Sequence, residues 1–144
     1  MDSIGSYQKK VAQELSEKIN LTFREANLEA QFIMQHVLKE SSSNLIVKKN
    51  EIILNKDIVI IENIVKQRLD NSPLAYILKE WDFYGHTFQI SKDTLIPRQD
   101  TELLIDIILQ NYDSNLPLKI LDLGTGSGII GITLARNFKK WVFW

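Results

Sequence analysis

The 144-residue chain contains no cysteine and only two histidines, which limits the metal and redox chemistry open to it. Without cysteine it forms neither disulfides nor thiolate metal sites, and this composition is compatible with a reducing cytosol. The two histidines, His36 and His86, stand far apart in the sequence, and two distant imidazoles do not complete a zinc site. We therefore predict no metal site and expect neither histidine to act in catalysis.

An excess of charge of one sign and long apolar runs are also missing. The chain has 17 basic and 18 acidic residues, so it lacks the cationic excess of a protein that binds a nucleic-acid backbone. No apolar run approaches the length of a membrane span, and residues 1–10 lack the apolar core of a signal peptide. The composition predicts a globular, cytoplasmic protein that contacts neither nucleic acid nor membrane.

The first half of the chain has the apolar spacing of helices. A helix is predicted from Ser6, because apolar residues recur at every fourth position and so share one face. This stripe comprises Tyr7, Val11, Leu15 and Ile19. Thr22 and Glu25 have the spacing of a capping box, which predicts the start of a second helix that ends near Glu40.

Polar segments and a proline separate these helices. Ser41–Asn44 is predicted to end the second helix, and Asp57 is the expected N-cap of a third. Pro73 ends that helix, because its ring and its missing N–H cannot continue the hydrogen-bond ladder. Helices of this length are unstable alone in water, so we expect a small helical bundle over residues 1–75.

The second half has a mixed pattern. Residues around Gly85 predict a β-hairpin, and Asp100 is the expected N-cap of the following helix. Leu118–Leu123 then has the composition of a buried strand in a parallel sheet, and Ile129–Phe138 has that of the next helix. The predicted fold class is therefore α + α/β, with the second domain over residues 76–144.

A glycine-rich loop, Asp122-Leu-Gly-Thr-Gly-Ser-Gly128, joins that strand to that helix. Glycines let a backbone pass close to a ligand, and the free N–H groups of the helix start point at it. In one register, Gly126–Gly131 matches the dinucleotide pattern G-x-G-x-x-G. In the other, Asp122 places an acid at the strand end, which attracts the ammonium of S-adenosylmethionine and repels a pyrophosphate. Charge favours S-adenosylmethionine, and the dinucleotide stays an alternative.

The second candidate segment is Leu95–Glu102. A purely structural interpretation exists, in which Pro97 stiffens a loop, Asp100 caps a helix and Arg98 pairs with Glu102. Composition alone favours this structural interpretation over a functional one.

Taken together, the segments resemble the HemK/PrmC-type glutamine methyltransferases that modify peptide chain release factors. The matching segments occur in the family's order and spacing over most of the chain. They are Arg68–Pro73, Ala75–Leu78, Phe83–Gly85, Leu95–Arg98 with Thr101 and Glu102, and Ile120–Gly128.

The resemblance implies a helical N-terminal domain that helps to dock the release factor, followed by the beginning of a Rossmann-like, S-adenosylmethionine-dependent methyltransferase domain. The implied reaction is methylation of the glutamine side-chain amide in the Gly-Gly-Gln motif of release factors. The resemblance also implies which residues form the site. The cofactor would be bound by Asp122, Gly124, Thr125, Gly126, Ser127 and Gly128, and the site would be bordered by Pro97, Arg98, Thr101 and Glu102.

The chain also departs from the family pattern. Asn71 and Lys79 stand where the family usually has glycine, and Gln99 stands where it usually has proline. The sequence contains no Asn-Pro-Pro-Tyr, the motif that holds the substrate amide in the family. We therefore predict no catalytic residue here, and we expect the sheet to be incomplete and the chain alone to be inactive.

The last residues of the sequence carry a further expectation. No later strand is evident to pair with Ile120–Leu123, so the segment after Leu118 is expected to be held loosely while residues 1–75 fold. Trp141–Trp144 does not match the charged turn and second strand expected there. Our hypothesis is a single-base slip in A/T-rich codons at Phe138–Lys140, with Trp141 onward outside the original frame.

Two alternative functions stay open. The helical domain alone is one candidate, as a non-catalytic module that binds a release factor. The other is a fragment of a nicotinamide-dependent Rossmann enzyme.

Overall fold

The computed structural model describes residues 2–113, 116–138 and 140–143, with side chains at all of these except residues 99 and 143. Within this part the chain is mostly helical, with seven helices and two small two-stranded sheets. It divides into two compact units, Met1–Leu78 and Lys79–Trp144. A helical N-terminal unit followed by a unit of mixed strands and helices is the coarse architecture that the sequence predicts.

Five helices form the first unit. They are α1 (Ile4–Lys18), α2 (Phe23–Leu38), α3 (Ser42–Val47), α4 (Asn55–Leu69) and α5 (Leu74–Leu78). Their apolar faces meet in one core, because apolar residues at helical spacing share one face of each helix. Its most buried members include Val11, Leu15, Ala26, Ala30, Ile33, Met34 and Ile61.

Side-chain caps explain where α2 and α3 begin. Thr22 Oγ1 accepts from the Glu25 N–H, and the Glu25 carboxylate accepts from the Thr22 N–H at 2.9 Å, which confirms the predicted capping box. As predicted, α2 ends before Ser41–Asn44, at Leu38. Ser41 also caps α3, a helix that the sequence did not predict, because its hydroxyl accepts from the Asn44 N–H at 3.2 Å.

The start of α4 also differs from the prediction. Leu54, not Asp57, is the N-cap, and no side chain caps this helix. The Leu54 carbonyl accepts from the N–H groups of Asp57 and Ile58 at 3.0 and 3.1 Å. Asp57 therefore lies in the first turn, where its negative charge interacts favourably with the positive end of the helix dipole.

An ion pair connects α2 to α4 inside this unit. Arg68 Nε donates to Glu29 Oε2 at 2.7 Å, and Arg68 Nη2 donates to Glu29 Oε1 at 3.0 Å. The two side chains are 15% and 21% exposed. This bidentate geometry is the strongest arrangement of a guanidinium and a carboxylate, and it fixes the relative position of the two helices.

The second unit opens with the predicted hairpin. Strands β1 (Glu80–Phe83) and β2 (His86–Gln89) pair antiparallel, with Phe83 opposite His86. The two residues between them, Tyr84 and Gly85, have φ of 49° and 71°. Positive φ at both positions is the geometry of a two-residue turn whose twist matches that of the strands.

The rest of this unit consists of α6 (Gln99–Asn111), β3 (Lys119–Ile120), α7 (Ile129–Asn137) and β4 (Val142–Phe143). The core of this unit contains Phe83, Ile105, Ile129, Leu134, Phe138 and Trp141. Two boundaries differ from the predictions. The strand is shorter than Leu118–Leu123, and α6 has Arg98 rather than Asp100 as its N-cap.

Strand β4 corrects the expectation about the last residues. It pairs parallel with β3, with Lys119 opposite Val142 and Ile120 opposite Phe143, so the expectation that no later strand pairs here was wrong. Trp141 is 6% exposed, and its ring stacks on Phe138 with the ring centroids 3.6 Å apart. Trp141 therefore belongs to the core of this unit. The frameshift at Phe138–Lys140 stays a hypothesis about the coding sequence.

Candidate functional site

The glycine loop between β3 and α7 has three glycines in left-handed conformation. Gly124, Gly126 and Gly128 have φ of 77°, 55° and 72°. A side chain is strained at such φ, so the loop needs glycine at these positions. Gly128 also caps α7: its N–H donates to the Thr125 carbonyl at 2.9 Å, and its carbonyl accepts from the Ile132 N–H at 2.8 Å.

Space above this loop is open. A Cβ at Gly124 would meet no atom within 4 Å, and one at Gly126 would meet only the Gly124 carbonyl oxygen at 3.9 Å. Residues 123–127 are exposed. Backbone conformation, and not crowding by the protein, therefore requires glycine here, and the bare backbone leaves room for a ligand.

Asp122 is the charged group of this loop. Its Oδ2 is buried and has no hydrogen-bond partner among the described residues. A buried carboxylate oxygen without a donor costs roughly 1–3 kcal/mol, and a cationic donor removes that cost. Asp122 follows β3 directly and stands at the start of the loop, so this donor can come from a ligand bound over the glycines.

The second predicted segment forms the start of α6. Arg98 is the N-cap in extended conformation, and its carbonyl accepts from the Thr101 N–H at 3.0 Å. No side chain caps this helix, and Arg98 is exposed. Asp100 and Glu102 lie in the first turn, where acidic side chains interact favourably with the helix dipole.

Glu102 contacts the hairpin turn and does not pair with Arg98. Its Oε1 accepts from the backbone N–H of Tyr84 at 2.7 Å. The Tyr84 hydroxyl donates to Asp106 Oδ1, also at 2.7 Å, and this hydrogen bond raises the pKa of Tyr84 above its ordinary value. Sequence reasoning missed Tyr84 and Asp106, although the spacing of Glu102 and Asp106 places both carboxylates on one face of a helix.

Helices α6 and α7 pack against each other and bring the two predicted segments into one unit. Ile105 of α6 and Ile129, the first residue of α7, lie in the same core. The start of α6 and the glycine loop therefore rest on a shared support. Ligand binding by the residues of either segment remains a prediction.

Other kinds of site find no support in the described part of the chain. It contains no group of three or more histidine, cysteine or acidic side chains that could hold a metal ion. None of its helices combines the length and the apolar character that crossing a bilayer requires.

A helical unit is thus followed by a strand, a glycine loop with an acid at its start, and a helix, which is an order typical of α/β proteins. The comparisons with known proteins specify the family. The family described as "PrmC N-terminal domain" matches residues 8–78. The release factor glutamine methyltransferase of Coxiella burnetii is 31% identical over 92% of this chain and 48% of its own length.

Further relatives agree with this family. The release factor glutamine methyltransferase of Nitratidesulfovibrio vulgaris is 36% identical over 76% of this chain and 37% of its own length. A bifunctional methyltransferase of Rickettsia prowazekii is 34% identical over 88% of this chain and 28% of its own length. The chain belongs to the HemK/PrmC family, as its motifs predict. It spans about half the length of the Coxiella burnetii relative.

Two departures from the family pattern now have a structural description. Asn71 and Lys79, which replace the usual glycines, have φ of 63° and 59°. Both positions therefore keep the left-handed conformation in which glycine is favoured. Asparagine tolerates this conformation better than most residues, whereas lysine has no such advantage.

Proposed function

We propose that this chain carries the release-factor-docking helical domain and the first cofactor-binding segment of an S-adenosylmethionine-dependent methyltransferase. Its substrate would be the glutamine side-chain amide in the Gly-Gly-Gln motif of a peptide chain release factor. Relatives named release factor glutamine methyltransferase support the substrate. The unpartnered oxygen of Asp122 beside a left-handed glycine loop is the observation that carries the cofactor assignment.

The residues present fit this cofactor. Asp122 would accept a hydrogen bond from its ammonium group, which satisfies the buried oxygen. The methionine end of the cofactor would lie along the backbone of the loop, because no protein atom fills the space over Gly124. The loop residues that would contact it are Gly124, Thr125, Gly126, Ser127 and Gly128. When bound, S-adenosylmethionine supplies an electrophilic methyl group on a sulfonium. The loop at Pro97 and Arg98, with Thr101 and Glu102, would border the site.

Charge distinguishes this cofactor from a dinucleotide. Two like charges about 4 Å apart repel by about 1 kcal/mol in water and by about 4 kcal/mol near a protein surface. A pyrophosphate over the glycines would therefore meet the Asp122 carboxylate unfavourably, whereas an ammonium would be attracted. The relatives compared above are named methyltransferases, which also favours the methyl donor.

Calorimetric titration of the full chain with S-adenosylmethionine and, separately, with NADH tests the cofactor assignment. We expect S-adenosylmethionine to bind and Asp122→Asn to weaken its binding about tenfold or more, because a charge-assisted hydrogen bond contributes roughly 1.5–3 kcal/mol. Asp93→Asn is the matched control, since Asp93 is an exposed carboxylate of the same unit. It should leave the affinity unchanged.

Two results would count against the proposal. Binding of NADH without binding of S-adenosylmethionine would support the dinucleotide alternative. Equal affinity of the wild type and Asp122→Asn would show that the buried carboxylate takes no part in binding.

The second candidate function is a non-catalytic module that docks a release factor. This module would be the helical domain, which the sequence predicts over residues 1–75. One observation favours it: the family match over residues 8–78 falls on the unit that has its own apolar core. A pull-down of purified release factor by the full chain, with and without S-adenosylmethionine, tests it. Capture that is unaffected by Asp122→Asn supports docking by the helices, and failure to capture any release factor removes this candidate.

A further inference from the structure

The hairpin turn and α6 are connected by one tyrosine. Tyr84 donates its backbone N–H to Glu102 and its hydroxyl to Asp106, each at 2.7 Å. The two carboxylates lie one helical turn apart, so Tyr84 contacts the first and second turns of α6 at once. We name these three residues the tyrosine clamp.

The tyrosine clamp lies beside the apolar core of the second unit. Phe83 and Ile105, the sequence neighbours of Tyr84 and Asp106, are 2% and 0% exposed and lie in one core. The carboxylates themselves are only partly buried. The core holds the two elements together, and the polar contacts determine how the beginning of α6 is oriented on the hairpin.

Among the residues that the structure describes, the start of α6 makes few other polar contacts. Its N-cap, Arg98, is exposed and makes no side-chain cap. Helix ends fray unless their first N–H groups find partners, and the Thr101 N–H bond to the Arg98 carbonyl provides only one. The tyrosine clamp therefore adds two polar contacts near this end of α6.

We propose that Tyr84 is a positioning residue: through Glu102 and Asp106 it sets the first turn of α6, and with it the Pro97–Arg98 loop beside the cofactor site. That this loop lies beside a cofactor rests on the proposed function, whereas the contacts of Tyr84 are observed in the structure.

Limited trypsin digestion measures how readily the loop opens to the protease. Trypsin cuts after Arg98 and after Arg136, and both bonds lie in the second unit. Cleavage at Arg98 reports opening of the first turn of α6, whereas cleavage at Arg136, inside α7, requires that helix to open. The ratio of the two rates separates local release of the loop from unfolding of the unit.

Tyr84→Phe removes only the hydroxyl contact, and Asp106→Ala removes its acceptor. Each should raise cleavage at Arg98 about tenfold, with cleavage at Arg136 unchanged, as expected for the loss of one charge-assisted hydrogen bond. The double variant should match either single variant, because both changes remove the same contact. Asp106→Asn keeps an acceptor oxygen and should restore the wild-type rate to within about threefold.

Tyr112→Phe is the control, because Tyr112 is an exposed tyrosine at the other end of the same helix. It should leave both rates unchanged. Unchanged cleavage at Arg98 in Tyr84→Phe, an equal rise at Arg98 and Arg136, or no restoration by Asp106→Asn would overturn the proposal.

Titration of the same proteins with S-adenosylmethionine separates this inference from the proposed function. If the wild type does not bind the cofactor, the proposed function fails and the cleavage pattern alone decides on Tyr84. If it does bind, Tyr84→Phe should weaken binding about threefold or more. Unchanged affinity would show that the loop does not act on the site.

Discussion

Breaking the ion pair between Glu29 and Arg68 should destabilise the helical unit more than breaking any exposed pair. The contact has two hydrogen bonds, at 2.7 and 3.0 Å, between side chains that are 15% and 21% exposed. Exposed pairs contribute about 0–1 kcal/mol, and removing one partner of a fully buried pair costs about 3–5 kcal/mol. Glu29→Gln lies between these limits, so we expect a loss of about 2 kcal/mol.

Urea unfolding followed by the far-ultraviolet helical signal measures this loss. A change of about 2 kcal/mol in a unit of this size also lowers Tm by roughly 8–16 °C. Glu14→Gln is the matched control, because Glu14 pairs with Lys18 on α1 with side chains 38% and 58% exposed. Its effect should stay below about 0.5 kcal/mol, since such pairs contribute about 0.3–0.5 kcal/mol.

A double-mutant cycle with Arg68→Met completes the test. The cost of the double variant should be smaller than the sum of the single costs, because each single change leaves an unpaired, partly buried polar group. Equal effects of Glu29→Gln and Glu14→Gln, or strict additivity in the cycle, would show that partial burial does not strengthen the pair between Glu29 and Arg68.

Three further changes have expected outcomes. Lys39 ends α2 in the left-handed conformation with φ of 55°, so Lys39→Gly should stabilise the chain by about 1 kcal/mol in urea unfolding, while Lys39→Ala, which keeps a Cβ, should not. Thr133 is fully buried, and its hydroxyl has no partner in the part of the chain that the structure describes, so Thr133→Val should raise Tm and a lowered Tm would contradict this. Burial and the adjacent Glu62 carboxylate raise the pKa of Tyr7 to about 12 from 10.0. The neutral phenol is therefore favoured in the folded state, and stability that is intact below pH 10 should fall as the pH rises from about 10 to 12, by roughly 2–3 kcal/mol. Unfolding free energies at about pH 9 and 11 should diverge less in Tyr7→Phe than in the wild type, and an equal divergence would contradict the assignment to Tyr7.

Local signals in the sequence predict most of the helical unit. The capping pair Thr22 and Glu25 marks the start of α2, because both halves of the motif lie within four residues. The sequence does not predict α3, because serine is common both after the end of one helix and at the start of the next. Ser41 caps the start of α3, and only the packing of Leu45 into the core shows that a helix follows.

Long-range contacts explain what the sequence does not reveal in the second unit. The hairpin follows from Gly85 and its neighbours, whereas the pairing of β3 with β4 joins residues more than 20 positions apart. The glycine loop and Asp122 are recognisable from their spacing. The hydrogen bond from Tyr84 to Asp106 spans 22 positions and depends on how the hairpin lies on α6, which no local pattern specifies.

Hydrogen exchange shows whether S-adenosylmethionine binds at the glycine loop. With saturating S-adenosylmethionine, the amides of Gly124–Gly128 should exchange at least about tenfold more slowly than in the free chain, because bound ligand stabilises the closed backbone by mass action. Helix α2, in the other unit, provides the internal reference and should not change. Unchanged exchange in the loop, or protection by NADH instead, would show that this loop is not a binding site for S-adenosylmethionine.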